Sequence, residues 1–292
     1  AHGESNSAHN FCKTFRSSLP DWKLEPIWID QVDIDNYLIS YCQKYQIDLI
    51  LVTLLGDSHL NAKSETYDAL LKIGKKIFII WPDTNDTAVE KIINMPDISL
   101  HISIDQPEKY QEAKLIACRN HISLWTPEDE EFYRPAEKDV DVSFLGTKSY
   151  PDRFFYLKNL IKLYPDIAVG GGQREHRLTP EDYAMVVRRS KIGINFSLSP
   201  TGKFHQLKGR VFEYIASNSL LLEQKNDVTP LFFEPGVDYV EFSDLVDLCG
   251  KIDYYLAHDD ERLKIANSGY QKFKNNYTAK HFWDKVMSYL EK

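Results

Sequence analysis

The sequence predicts an α/β protein of two doubly wound domains with a helical C-terminal tail. Three observations predict it. Short apolar runs alternate with helical stretches, and this rhythm occurs twice. A polar, proline-flanked segment, TPEDEEFYRPAEKD (126–139), separates the two series and reads as a linker. From Ser243 onward the pattern is helical to the end. Runs that are apolar throughout suit central strands of a parallel sheet covered on both faces. Strands alternating with helices make β-α-β units.

The first series contains four runs: IDLILVT (47–53), KKIFIIW (75–81), ISLHISI (98–104) and HISLW (121–125). Helical stretches such as ETYDALLKIG (65–74) and PEKYQEAKLI (107–116) lie between them. The second series starts at DVSFLG (141–146), a strand ending in glycine. PDRFFYLKNLIKLY (151–164) follows, a helix with proline at its start. IAVGGG (167–172) is a strand running into a flexible turn. In TPEDYAMVVRRS, Thr179 is a good N-cap, Pro180 takes the first helical position and Asp182 can close a capping box. KIGINFS (191–197) is the next strand, 209–216 a short helix, and SLLLE (219–223) the strand after it. Asn218 between them suits the left-handed backbone that ends a helix.

The chain has 292 residues, 43% hydrophobic and 27% charged, as in ordinary folded proteins. Its net charge of −8 argues against broad nucleic-acid or anionic-membrane binding. Cys12, Cys42, Cys118 and Cys249 show no Cys-x-x-Cys or Cys/His metal spacing. They read as idle thiols of a reducing compartment, so a cytoplasmic location is expected. The longest apolar runs, such as residues 50–55, are too short to span a bilayer. No signal peptide is expected. The chain starts at Ala1, and the first strand of the first domain is expected to be missing or that domain abbreviated.

In doubly wound sheets ligands sit beyond the carboxyl ends of the strands. Two such domains place the expected site in the cleft between them. The sharpest candidate is Glu213, a carboxylate in the otherwise apolar helix GRVFEYIA. One reading is a solvated surface glutamate. The other draws on its neighbours. Lys203, Lys208 and Arg210 lie just upstream, and Gly202 and Gly209 loosen the loop. A glycine-containing loop feeding a helix offers free N–H groups and a positive dipole end to a phosphate. Arg210 can add a bidentate contact. Glu213, one turn on, can accept from paired sugar hydroxyls. Asp57 and His59 follow the strand at 47–53, and Asp83 follows that at 75–81. Each is a candidate general base that also reads as a loop or cap residue. Asp86 and the histidines of AHGESNSAH are secondary. The cluster Arg188–Lys191 reads as a solvated helix end.

RVFEYIA, LFFEPGVDYVEF, KIDYYLAHDDERLKIANSGY and the earlier DVDVSFLG resemble the C-terminal domain of CgeB-like glycosyltransferases, part of the group-1 type with the GT-B fold. The resemblance covers most of residues 139–292. Over 1–138 it rests on the strand–helix rhythm and on IWPD (80–83). It implies two Rossmann-like domains: 1–138 on the acceptor side, and 139–275 holding the nucleotide sugar. Residues 276–292 would form a C-terminal helix packing back on the N-terminal domain, with Phe282, Trp283, Val286, Met287 and Leu290 at helical spacing. It implies no obligatory metal and a sugar donor carried on a nucleoside diphosphate, UDP slightly ahead of GDP. By position, Glu213 would hold the donor ribose, and Lys208, Gly209 and Arg210 the diphosphate. Gly146 and Lys148 would line the phosphate side, with Arg153 a further candidate, and the loop 172–178 would lie near the base. The acceptor is open among glycan, lipid and protein, and the family neighbourhood leans towards retention.

The chain also departs from the group. Many group-1 transferases carry a second glutamate eight residues before the ribose-binding one. Here His205 stands there, and Asn218 stands where glycine is usual. The alternatives to a transferase are a GT-B-shaped binding or assembly protein and a sugar-nucleotide epimerase.

Overall fold

The computed structural model describes residues 6–27, 32–54, 61–81, 95–104, 120–148, 150–171, 178–199, 202 and 205–290. The chain forms two compact units, residues 1–126 with 282–292, and residues 127–281.

In the first unit, helices α1 (Asn6–Ser18) and α2 (Ile34–Lys44) precede strand β1 (Ile50–Thr53), helix α3 (Ser64–Lys72), β2 (Ile77–Trp81), β3 (Leu100–Ser103) and β4 (His121–Ser123). The four strands form one parallel sheet in chain order. β2 shows why a strand can be apolar at every position. Ile77, Ile79 and Trp81 pack on Ile34, Leu38 and Cys42 of α2 and on Tyr67 and Leu70 of α3. Phe78 and Ile80 point the other way and are equally buried. The last helix, α9 (Ala279–Met287), brings Phe282, Trp283 and Val286 into this unit's interior. Trp283 packs edge-on against Phe15, ring centroids 5.0 Å apart, and its Nε1 donates to Thr14 Oγ1 at 3.1 Å.

The second unit contains β5 (Val140–Leu145), α4 (Pro151–Leu163), β6 (Ala168–Gly170), α5 (Pro180–Arg189), β7 (Ser190–Asn195), α6 (Gly209–Ala216), β8 (Leu220–Gln224) and β9 (Val240–Phe242). Helices α7 (Leu245–Ala257) and α8 (Asp259–Asn276) follow. Its sheet is wholly parallel in the order β6-β5-β7-β8-β9. Val142, Phe144, Ile192, Ile194, Leu220 and Leu222 pack on one face against α4 and α7. On the other face α6 lies directly on β7. A Cβ at Gly193 would sit 2.3 Å from the Tyr214 ring, so only glycine admits that helix so closely.

Local chemistry ends the elements as expected. Thr179 Oγ1 accepts from Asp182 N–H at 3.1 Å, and the Asp182 carboxylate answers the Thr179 hydroxyl. Asn218 has φ 56°, the left-handed cap that turns α6 into β8.

Two expectations need correcting. β9 was not expected; its three residues are too few to show a period. The segment 126–139, read as a linker, begins at the boundary between the two units but is built into the second. Glu128, Asp129 and Tyr133 are buried in it. Lys138 Nζ donates to Arg188 O, Ser217 O and Ser219 Oγ, so it caps the ends of α5 and α6 together. Polar composition marked a loop, but here Asp129 Oδ1 accepts from Glu131 N–H at 3.0 Å and the Lys138 ammonium is held by three oxygens of the fold.

Among the described residues, no helix is long and apolar enough to cross a membrane. Among the described residues, Cys12, Cys42 and Cys249 form no disulfide.

Candidate functional site

The carboxyl ends of β5, β7 and β8 lie side by side, and the last residues of β5 and β7 meet α6. Arg210, in the first turn of α6, reaches across two of them. Its Nη1 donates to Leu145 O at 2.9 Å, and its Nε donates to Asn195 Oδ1 at 2.9 Å. The guanidinium lies 5.2 Å from the Phe144 ring centroid, against Gly146. A Cβ on Gly146 would fall 2.2 Å from Nη1, which explains a glycine at the end of β5.

Phe144 carries a second guanidinium. Arg153 stands 5.5 Å from its centroid and 4.5 Å from that of Tyr150. Arg153 is buried and donates to Thr147 O at 2.6 Å and Phe196 O at 3.3 Å, while among the described residues its Nε has no partner. Burial, with the like charge of Arg210 second, pushes its pKa down to about 9. Among the described residues no carboxylate forms an ion pair with either arginine. Two neighbouring cations with no ion-paired carboxylate among the described residues leave a positive potential that an anion can answer.

α6 adds to that potential. Its N-cap, Lys208, makes no side-chain cap, so the first N–H groups keep their donor capacity. The Lys208 ammonium turns to Gln206 Oε1. Gly209 opens the helix, and Lys148 Nζ donates to Val169 O at 3.4 Å. His205 Nδ1 shares a 2.9 Å hydrogen bond with Ser197 Oγ.

Glu213 is buried one turn into α6, on a helix whose residues from Val211 to Ala216 are all buried. Tyr183 Oη donates to Glu213 Oε2 at 2.7 Å. Among the described residues, the other carboxylate oxygen has no protein hydrogen-bond donor. Burial pushes the Glu213 carboxyl up to about 7, against the opposing pull of Tyr183 and Arg210. The solvated-surface reading of this glutamate is therefore excluded by its burial.

The structure thus brings together Glu213, Arg210, Gly209, Lys208, Gly146, Lys148 and Arg153 in one unit. Asp57, His59, Asp83, Asp86, Lys203 and loop residues 172–177 lie outside the described residues. Among the described residues, no group of three or more His, Cys, Asp or Glu could hold a metal ion.

The family model described as glycosyl transferase-like matches residues 126–288, more than half of the chain. The chain belongs to the glycosyl transferase-like family. Its match spans the whole arrangement around Arg210 and Glu213. No curated protein sequence matches this glycosyltransferase significantly. Among solved structures it is similar to Anabaena HepE in complex with UDP and glucose, at 12% identity over 89% of this chain and 82% of that one, TM-score 0.61. It is similar to a glycosyltransferase of Rickettsia africae, at 11% identity over 92% and 83%, TM-score 0.59. It also resembles sucrose-phosphate synthase of Thermosynechococcus elongatus, at 8% identity over 88% and 77%, TM-score 0.59. At such identities the likeness shows the fold, which is GT-B.

Sequence reasoning missed Tyr183, Asn195 and Glu223. Tyr183 read as one more apolar residue of α5. Glu223 and Asn195 read as ordinary strand residues. For Asn195 and Glu223 the signal was position: each is a polar side chain at the carboxyl end of a buried parallel strand, where cleft residues gather.

Proposed function

We propose that the second unit of this glycosyltransferase binds a nucleoside-diphosphate sugar, and that the sugar passes to an acceptor hydroxyl. The observation that carries this reading is the pair Arg210 and Arg153. Both guanidiniums flank Phe144 beside the start of α6, and among the described residues no carboxylate is ion-paired to either. A diphosphate supplies the missing negative charge. Arg210 has spent two of its five N–H donors on Leu145 and Asn195, and the rest remain for phosphate oxygens. Arg153 stays behind Phe144 and acts through its field, since its terminal N–H groups hold backbone carbonyls. The start of α6 and Lys208 complete the anion side, with Gly146 and Lys148 along its margin; Lys203, outside the described residues, stays a candidate from its place in the sequence.

Glu213 takes the ribose in this reading. Tyr183 fixes one carboxylate oxygen and leaves the other to accept from the diol.

During transfer the bond between the anomeric carbon and the diphosphate oxygen breaks. The acceptor oxygen bonds to that carbon, and the acceptor's proton leaves to a base. Charge grows on the departing diphosphate, where Arg210 and the helix start are already aimed. No metal is needed for that neutralisation. Asp83, His59 and Asp57 remain the candidates for the base. The transferase is of the CgeB-like kind, moves a hexose with retention, acts in the cytoplasm, and takes a UDP-sugar ahead of a GDP-sugar. HepE, solved with UDP and glucose, supports the choice of base.

The test is a thermal-shift titration with UDP, GDP and ADP in the presence of EDTA. UDP should raise the melting temperature with a logarithmic dependence on concentration. The same UDP-sugar incubated with candidate acceptors should release UDP. No shift with any nucleotide would overturn the donor reading. Binding without release would favour the GT-B binding protein.

A further inference from the structure

Glu223 is a fully buried carboxyl group in the last turn of the sheet's carboxyl edge, and the transfer chemistry above does not use it. Burying a carboxyl group is costly unless its partners repay it. Its partners are specific. Asn195 Nδ2 donates to Glu223 Oε2 at 2.8 Å and to Oε1 at 3.1 Å, and Asn226 Nδ2 donates to Oε1 at 3.0 Å. Asn195 and Glu223 are register partners on β7 and β8. The other end of the same amide, Asn195 Oδ1, accepts from Arg210 Nε.

An asparagine side chain has one accepting end and one donating end. Which end faces Arg210 matters, because Arg210 can only donate. A carboxyl group on the far side draws the NH2 towards itself and so turns the oxygen to Arg210. In either protonation state Glu223 still presents an oxygen to Asn195. The spacing matters too. A carboxylate placed directly on Arg210 would pair with it and compete with a phosphate. A neutral amide between them fixes the guanidinium while leaving its charge uncancelled.

We infer that Asn195 and Glu223 are positioning residues that orient Arg210 for the donor diphosphate, Glu223 by setting the direction of the Asn195 amide. The inference rests on the donor reading given above.

The test is calorimetric UDP titration of the full chain. The variants are Asn195→Ala, Glu223→Leu, Glu223→Gln, Arg210→Ala, and Asn195→Ala with Arg210→Ala. Asn195→Ala should weaken UDP binding about tenfold, since it removes a hydrogen bond to the Arg210 guanidinium, and Glu223→Leu should do about the same, since it leaves the Asn195 amide free to turn away from Arg210. Glu223→Gln keeps an acceptor oxygen and should stay within about threefold of the parent. Adding Asn195→Ala to Arg210→Ala should weaken binding no further, because the relay has lost its endpoint. Asn195→Ser makes the same comparison if Asn195→Ala is recovered unfolded. A merely structural role would lower the melting temperature and give the same loss with or without Arg210. That result, or parent-like UDP affinity in Asn195→Ala, overturns the inference alone. A parent chain that binds no nucleotide overturns the donor reading as well.

Discussion

Tyr183 and Glu213, thirty residues apart in sequence and on neighbouring helices, are joined by a 2.7 Å hydrogen bond inside the second unit. The tyrosine donates, so it favours the ionised carboxylate. Burial works in the opposite direction and prevails, leaving the carboxyl at about 7.

This balance predicts pH-dependent donor binding. A ribose diol donates best to the ionised carboxylate, which forms as pH rises through about 7. UDP affinity should therefore increase across that range, after correction for the titration of UDP itself. Tyr183→Phe removes the stabilising donor and should move the midpoint upward. Glu213→Gln should remove the midpoint while the fold survives. Calorimetric titrations between pH 6 and about 8.5 decide it; a flat profile in the parent would separate Glu213 from the nucleotide.

Gly146→Ala should act at a distance of one side chain. The added methyl would fall 2.2 Å from Arg210 Nη1, so the guanidinium must swing away from Leu145 O. Arg210 ends a flexible side chain and can yield, but Gly146 has φ 157°, which an L residue adopts only with strain, so the melting temperature should fall as well while the fold persists. UDP binding should weaken by about 1.5–3 kcal/mol, the scale of a charged hydrogen bond. Arg210→Ala should show a loss of similar size, and Gly146→Ala should add little to it.

Gly193→Ala should damage the fold instead. Its methyl would meet the Tyr214 ring at 2.3 Å, and that ring is packed between β7 and the Ser143 hydroxyl, 2.9 Å from Tyr214 Oη. Overpacking of this kind costs about 1–3 kcal/mol. Urea denaturation should show a lower midpoint with an unchanged slope.

Glu223 should leave a signature in stability. Burial lifts its carboxyl to about 8, against 4.5 ordinarily, despite the donors from Asn195. The folded state then holds a proton that the unfolded chain releases. The stabilisation is present below the unfolded value and is lost as pH rises through about 8. Glu223→Gln should flatten that decline, which has a limiting slope of about 1.4 kcal/mol per pH unit for one proton. Urea midpoints measured from pH 5 to about 9 test it; a parent curve rising through this range would contradict the assignment.

Much of the second unit was legible from local pattern. Helix α6 could be read from its apolar residues, and its end from Asn218, because a left-handed cap is a property of a few adjacent residues. Thr179 announced the start of α5 in the same way. Arg210 and Glu213 could be singled out because a glycine-led helix start and a lone carboxylate stand out in a linear sequence. What the line of residues did not display was partnership. Tyr183 looked apolar, Asn195 looked like a strand residue, and the polar stretch 126–139 looked solvated, although Tyr133 and Glu128 are buried.

The sequence by itself displayed most of the strands and helices from residue 47 onward, their order, and a few side chains with donor or acceptor capacity near strand ends, but not α1, α2 or β9. It did so because helix and strand periods, caps and breakers act over a handful of neighbours. Only the tertiary structure decided which polar groups share a buried volume. Placing β5 between β6 and β7, with β8 beside β7, sets Leu145, Asn195 and Glu223 along one edge. Arg210 can then bind two of them at once. A buried polar group must find its partner wherever strand register delivers it, and register is fixed by the packing of whole sheets and helices rather than by any local stretch of chain.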